Sequence, residues 1–369
     1  MSQKLFTLGP VEMFEYTRKR RLGELPYFRT EEFSNIVLDC AERLKRLTGA
    51  HDDAHVFLLT CSGTGAMEAV VGGCFCEEGR LLIVDGGGFG HRFKEIAAHH
   101  NIPHECVKLE FGEALTQAML DKAIDGESFT GMLVNLHEST TGQLYDKDMV
   151  ASLCHARGMY LVIDAVASFL ADPLDFERDG VDALIASSQK ALALPPGLAI
   201  VILSDRFYQK IVENDVKPFS LYFDLLDAEA NAIRGQTPFT PAIGVILALQ
   251  ERLEKLEEEG GAEASIARTK ALAEDFRGRI GGLLERGLIS LPPYPLSNAC
   301  TPLIFPNGGA KEVFERLSKR HDIWLNPNGG ELADTVVRVG HLGNLTTEDN
   351  AELARLIAEI LMKKGIING

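Results

Sequence analysis

Tyr160-Leu-Val-Ile-Asp164-Ala-Val166-Ala-Ser-Phe169 is followed, after a short polar interval, by Asp182-Ala-Leu-Ile-Ala-Ser187-Ser188-Gln189-Lys190. Each is an apolar run of strand length closed by polar residues, so Asp164 and Lys190 both fall at the C-terminal ends of predicted strands. A lone strand-end aspartate is usually a turn former, and a lone strand-end lysine usually lays its stem on apolar surface with its amine in water. Together they suit one cofactor. A lysine amine can condense with the aldehyde of pyridoxal phosphate, and a carboxylate can hold a proton on its pyridine nitrogen, which makes the ring an electron sink.

The same pattern extends outward. Further strands are predicted at 55–60, 80–85, 105–109, 131–136 and 198–203, most as continuous apolar runs, which is how strands covered on both faces read. Amphipathic stretches at 65–75, 93–100 and 146–157 lie between them. The fold class is therefore α/β, a mostly parallel sheet between helices. A charged helix over 241–259, ending at Gly260-Gly261, leads to a smaller α+β unit. Its predicted elements are helices at 263–285, 310–320 and 347–363 and strands at 301–305 and 335–339. We divide the chain into an N-terminal arm (1–20), a large domain (21–250) and a small C-terminal domain (251–369).

The chain has 369 residues, with 37 Lys and Arg against 53 Asp and Glu, a formal charge of −16. That balance argues against nucleic acid and anionic membranes as partners, since both are bound by clustered cations. No apolar run approaches the roughly 18 residues of a membrane span, and the N-terminus lacks a signal-peptide pattern, so the expected location is the cytoplasm. Seven cysteines without a CxxC pair do not make a disulfide scaffold; Cys61, Cys74 and Cys76 read as plain buried thiols. His99, His100 and His104 include a His-x3-His spacing, but Asn101 and Pro103 break any helix carrying it, so no metal site is expected.

Ligands of open α/β sheets bind beyond the C-terminal strand ends. There the sequence places Ser62-Gly63-Thr64 before a helix, either a phosphate cup or a simple N-cap. It also places Gly86-Gly87-Gly88-Phe89-Gly90-His91-Arg92 there, where Phe89 could stack on a ring and Arg92 could meet an anion. A nicotinamide-dependent oxidoreductase is a competing reading of that glycine run, with Glu110 as ribose ligand, although GGGFG is not GxGxxG. Glu138-Ser139-Thr-Thr-Gly142 offers hydroxyls to a ligand or forms an ordinary turn, and His137 and Glu138 should face opposite ways. Arg338, inside an apolar strand, needs either a structural partner or a substrate carboxylate.

Taken together, Leu8-Gly9-Pro10-Val11, Phe28-Arg29-Thr-Glu-Glu-Phe33, Ser62-Gly-Thr64, Gly88-Phe89-Gly90-x-Arg92, Glu138-Ser-Thr-Thr-Gly142, Asp164-x-Val166, Ser188-Gln189-Lys190-Ala-Leu192, Thr237-Pro and Arg338-Val-Gly340 resemble the class V, fold-type I aminotransferases that use pyridoxal phosphate. The likeness is greatest to the 2-aminoethylphosphonate–pyruvate and alanine–glyoxylate (serine–pyruvate) branch. It implies Lys190 as Schiff-base lysine and proton carrier, Asp164 on the pyridinium, and Val166 and Phe89 on the two ring faces. Ser139 would sit at the ring edge, and Ser62, Gly63, Thr64 and Gln189 would hold the phosphate. Thr237 and Arg234 would join them from the second subunit of a homodimer, while Arg29 and Arg338 would bind substrate.

Two departures stand out. Relatives commonly carry histidine two places before the glutamate of the Glu138 box; here that position is Leu136, and the histidine is His137. Cysteine desulfurases place histidine before the lysine, where Gln189 stands, and no loop cysteine nucleophile is evident. The expected reaction is transfer of an amino group from a small donor to a 2-oxo acid such as pyruvate or glyoxylate. Arg29, Arg92 and Arg338 give enough positive charge for a donor with two anionic ends, which favours 2-aminoethylphosphonate or an acidic relative; alanine or serine needs one clamp. A protein that binds the cofactor without catalysis is the remaining alternative.

Overall fold

The computed structural model describes residues 3–20, 24–75, 79–213 and 219–367. Cys76 lies outside the described residues, and the boundary proposed after residue 20 adjoins 21–23, which also lie outside them.

Seven strands form the central sheet: β1 (His55–Leu59), β2 (Leu81–Asp85), β3 (His104–Lys108), β4 (Gly131–Asn135), β5 (Tyr160–Asp164), β6 (Ala183–Ser187) and β7 (Ala199–Leu203). Their order is β1-β7-β6-β5-β4-β2-β3. All run parallel except β7, which is antiparallel to β1 and β6. The expected strands stand within a residue of their predicted ends. The reversal of β7 was not predicted, because the apolar run of a buried strand carries no direction.

Alternate residues of each strand enter opposite cores. Leu82, Val84, Met132, Val134, Leu161, Ile163, Leu184 and Ile200 pack with α1 (Glu31–Thr48), while Leu81, Ile83, Leu133, Val162, Ile185 and Val201 pack with α2 (Gly63–Cys74) and α3 (Gly88–His99). Burying each of these side chains contributes roughly 1.5–3 kcal/mol, which is why both faces read as apolar. Helix α1 was missed although its ends are well marked. Thr30 caps its start by accepting from Phe33 N, and Gly49 ends it at φ 69°.

Helix α4 (Lys147–Arg157) begins behind the cap Asp146, and α5 (Ile243–Glu258) runs into α6 (Gly261–Arg279) through Gly260 at φ 104°. The C-terminal part adds α7 (Ala310–His321), α8 (Thr347–Ile367) and a small antiparallel sheet of β8 (Cys300–Ile304), β9 (Asn326–Pro327) and β10 (Val336–Gly340). Its core includes Phe276, Leu303, Leu317, Val337, Val339 and Ile357, and Phe6 from the opposite end of the chain. Lys4–Leu5 pair in parallel with Ile323–Trp324, so the N-terminal segment is tied to this part of the fold. No described helix is long and apolar enough to cross a membrane.

Candidate active site

The site lies where β4, β5 and β6 end and α2 and α3 begin. Asp164, the last residue of β5, is 5% exposed, and its Oδ1 accepts 2.8 Å from Val166 N. No described residue donates to its other oxygen. Burial pushes this carboxyl up to about 6, against the Val166 N–H and the charge of Lys190, which hold it down. An under-served buried carboxylate invites a donor from outside the chain, and a protonated ring nitrogen is one.

Lys190 stands three residues past β6. Burial lowers its amine to about 8; Asp164 opposes that shift and Arg338 adds to it. The amine is thus close to proton exchange at neutral pH. Its stem is pressed by a segment not singled out for this role: a Cβ built on Gly9 (φ 131°) would sit 2.6 Å from Lys190 Cδ and 2.9 Å from Cε. Only glycine allows that approach. Gly9-Pro10 belongs to the motifs that carry the family resemblance, but nothing in its local sequence shows that it lies on a lysine far along the chain.

Ser62 caps α2, its Oγ accepting from Gly65 N at 3.4 Å. The N-cap is present, and it leaves the N–H groups of Gly63 and Thr64 at the helix start, so it is compatible with a phosphate cup. A Cβ on Gly63 would come 2.8 Å from Val166 Cγ2, which packs the cup directly beside the Asp164 turn. Arg92 Nη1 donates to Thr64 Oγ1 at 3.1 Å, and its guanidinium lies 5.3 Å from the Phe89 ring centroid. The cation thus joins the cup to the half-buried aromatic at the start of α3.

Glu138 is fully buried and accepts from Phe89 N (3.2 Å), Gly90 N (3.1 Å), Asn135 Nδ2 (2.7 Å) and Thr140 N (2.9 Å). It pins the start of α3, and with it Phe89. Side chains built on Gly86 and Gly87 would collide with Tyr145 OH and the Glu138 carboxylate, and one on Gly90 with the Val84 carbonyl. The glycine run is filled by the protein's own atoms and leaves no cradle for a dinucleotide, while Glu110 is exposed and paired with Lys108. His137 faces away from Glu138, as alternation requires. It is buried, its Nδ1 lies 3.4 Å from the Ala167 carbonyl, and burial lowers it to about 3, so it is a neutral core residue.

Arg338 on β10 reaches this cluster from the other part of the fold. Its Nη1 donates to the Ser139 carbonyl (2.7 Å) and Nη2 to the Pro327 carbonyl (2.9 Å), while Nε is buried without a partner. No described carboxylate pairs with it, so the ion-pair alternative fails. Cys300, on the neighbouring β8, is buried and its thiol is pushed up to about 12 by burial. A protonated strand cysteine does not serve as a desulfurase nucleophile.

Other expected residues stand apart. Arg29 donates from Nη1 to Gln236 Oε1 (3.0 Å) and the Thr237 carbonyl (2.9 Å) and from Nη2 to the Pro238 carbonyl (3.1 Å), so it organises that loop. Thr237 Oγ1 donates to the Phe239 carbonyl at 2.7 Å, and the exposed Arg234 donates to Asn231 Oδ1 at 2.6 Å. Neither bonds the Ser62–Thr64 cup of its own chain.

The Gly63–Val166 cradle, the open Asp164 oxygen and the Lys190 amine fit pyridoxal phosphate: a cup for its phosphate, an anion for its pyridinium and an amine for its aldehyde. Comparison with known proteins agrees. The family described as aminotransferase class-V matches residues 26–349. An uncharacterised aminotransferase of Helicobacter pylori strain J99 is 31% identical over 92% of this chain and 88% of its own. The 2-aminoethylphosphonate–pyruvate transaminase of Vibrio vulnificus strain YJ016 is 32% identical over 70% of this chain and 71% of its own. The alanine–glyoxylate aminotransferase of Nostoc sp. superposes with a TM-score of 0.90 over 98% of this chain and 96% of that one, at 24% identity.

Proposed function

The chain belongs to the class V aminotransferases and its cofactor is pyridoxal phosphate; from that premise we propose that it moves the amino group of 2-aminoethylphosphonate to pyruvate, giving the phosphonoaldehyde and alanine. The carrying observation is Arg338, a half-buried guanidinium without a described carboxylate partner, whose Nε is buried and unpaired and whose charge acts on Lys190. Arg338 is itself held by two backbone carbonyls, as Arg29 is, but it is the arginine whose charge reaches Lys190, and it is taken as the substrate cation. This revises the arginine count: 2-aminoethylphosphonate carries its negative charge at one end, and so does pyruvate, so a single clamp serves each in turn. The similarity to the Vibrio enzyme supports this donor.

Bound pyridoxal phosphate supplies the electron sink. Lys190 would be the proton carrier beside the bound cofactor, and the lowered basicity of its amine suits both taking up and releasing a proton. Asp164 would hold a proton on the ring nitrogen. Val166 and Phe89 would hold the ring, with Ser139 near it, and Ser62, Gly63, Thr64 and Gln189 would hold the phosphate. In this reading the protein is a homodimer whose partner's loop offers Thr237 and Arg234 to the cup, with Arg29 fixing the loop's shape. The exposed Leu25, Tyr27, Leu221 and Ile233 supply apolar surface for that contact.

The single clamp also favours a second reading, in which alanine or serine is the donor, since an amino-acid carboxylate meets Arg338 equally well. A donor panel at fixed pyruvate or glyoxylate, followed by chromatography of the amino products, separates the two. Turnover of 2-aminoethylphosphonate at least about tenfold more efficient than of alanine or serine supports the first reading, and the reverse order overturns it.

A further inference from the structure

The three histidines near residue 100 do not form the spacing-based site that the sequence argued against, yet two of them meet a third ligand supplied by the fold. His104 opens β3, and its Nδ1 lies 2.9 Å from the Ile102 carbonyl. His99 and His100 end α3, and Glu68 of α2 comes beside them, with His100 Nε2 3.0 Å from Glu68 Oε1. We propose that Glu68, His99 and His100 form a binding site for a borderline divalent cation of the zinc type, clamping α2 to α3.

Three observations carry this. One ligand atom from each residue lies within 4.8 Å of the others, and among the described residues no other group of three His, Cys, Asp or Glu side chains does so. Tetrahedral zinc bonded at about 2.0–2.1 Å spaces its ligand atoms roughly 3.3 Å apart, so small side-chain rotations close the set. Two imidazoles and a carboxylate suit a borderline cation, and exposed His99 leaves a fourth position for water.

The ligands are also held in place. The His100 ring packs edge-on against Phe219 with centroids 4.5 Å apart, and its side chain is only 13% exposed. His99 stands edge-on to His100 at 5.1 Å and makes no hydrogen bond with any described residue. The carbonyl end of α3 adds negative potential where the cation would sit.

The position gives the site a consequence. Glu68 lies one turn beyond Thr64 of the phosphate cup, and α3 begins at Gly88 beside Phe89. The Arg92–Thr64 hydrogen bond already ties these two helices near the cofactor. A cation at Glu68, His99 and His100 ties them again from the far side, stiffening the pair of helices that carries the cup and the ring-stacking aromatic.

The test is calorimetric titration of zinc into the tag-free, chelator-treated holoenzyme, with a thermal melt of the same samples. The expected result is one saturable site per chain and a higher Tm with zinc. Both His99→Ala and Glu68→Gln should weaken binding at least tenfold and lose the Tm rise, while keeping wild-type turnover in metal-free buffer. His99 is exposed and glutamine retains a hydrogen bond to His100, so both variants should fold. Absence of saturable binding, or unchanged affinity in both variants, would overturn the proposal.

Discussion

Asp164 and Glu138 are both buried carboxylates at the ends of strands facing the same site, and they differ in what they are given. Glu138 accepts from three backbone N–H groups and the Asn135 amide; Asp164 accepts from Val166 N alone. A charge whose donors all come from the chain is part of the scaffold, whereas one left short awaits a donor from a bound molecule. The same contrast separates the arginines. Exposed Arg29 makes three hydrogen bonds to one loop, while Arg338 makes two to backbone carbonyls and keeps a buried Nε unpaired.

The comparison can be broken by substitution. Lys190→Ala has the largest expected effect, a loss of at least about 10⁴-fold in turnover, because it removes the group that binds the aldehyde and carries the proton. Normal steady-state turnover in a folded Lys190→Ala protein contradicts the assignment. Asp164→Asn should lower kcat by about 10²-fold or more by weakening the pyridinium pairing.

The same Asp164→Asn change should leave the cofactor-free protein as stable as wild type or more so. The sign follows from the carboxyl being raised to about 6 in the fold from its ordinary 3.8. The stability it contributes when protonated is present below about 3.8 and is lost as pH rises through about 6. At pH 7 asparagine removes that penalty. A fall of several degrees in the Tm of cofactor-free Asp164→Asn would show that Asp164 is scaffold like Glu138.

Arg338→Lys is expected to raise KM for donor and acceptor alike by about 10–100-fold, since a point charge replaces a forked donor. A change confined to kcat would remove Arg338 from substrate binding. Glu138→Gln has the smallest kinetic but clearest thermal effect. Its amide cannot accept from all four donors, and leaving buried N–H groups unpaired costs about 1–3 kcal/mol each, read as a lowered Tm with or without cofactor. An unchanged Tm would mean that those hydrogen bonds are not what holds α3.

The cofactor side of the site was legible because its parts are local. Asp164 and Lys190 close strands whose apolar runs are unmistakable, and Ser62-Gly63-Thr64 sits between a strand and a helix. The substrate side is assembled from distant segments. Gly9 meets Lys190, and Arg338 is fixed by the carbonyls of Ser139 and Pro327. Backbone carbonyls carry no residue signature, so the contacts that aim Arg338 could not be read from composition or spacing. Glu138 was similarly opaque, because its partners are backbone N–H groups and an asparagine with no pattern of their own. The Gly86–Gly90 run left two readings open, and the competing dinucleotide one fails because the space it needs is taken by Tyr145 and Glu138.

The most direct test of the central claim is the visible spectrum of the purified protein while 2-aminoethylphosphonate, and in a separate sample alanine, is added without any 2-oxo acid. The account predicts a near-visible band from cofactor held by Lys190, lost on adding 2-aminoethylphosphonate and restored by pyruvate. A band that 2-aminoethylphosphonate leaves untouched while alanine discharges it would contradict the proposed donor, and a band that neither discharges would contradict both readings of the substrate.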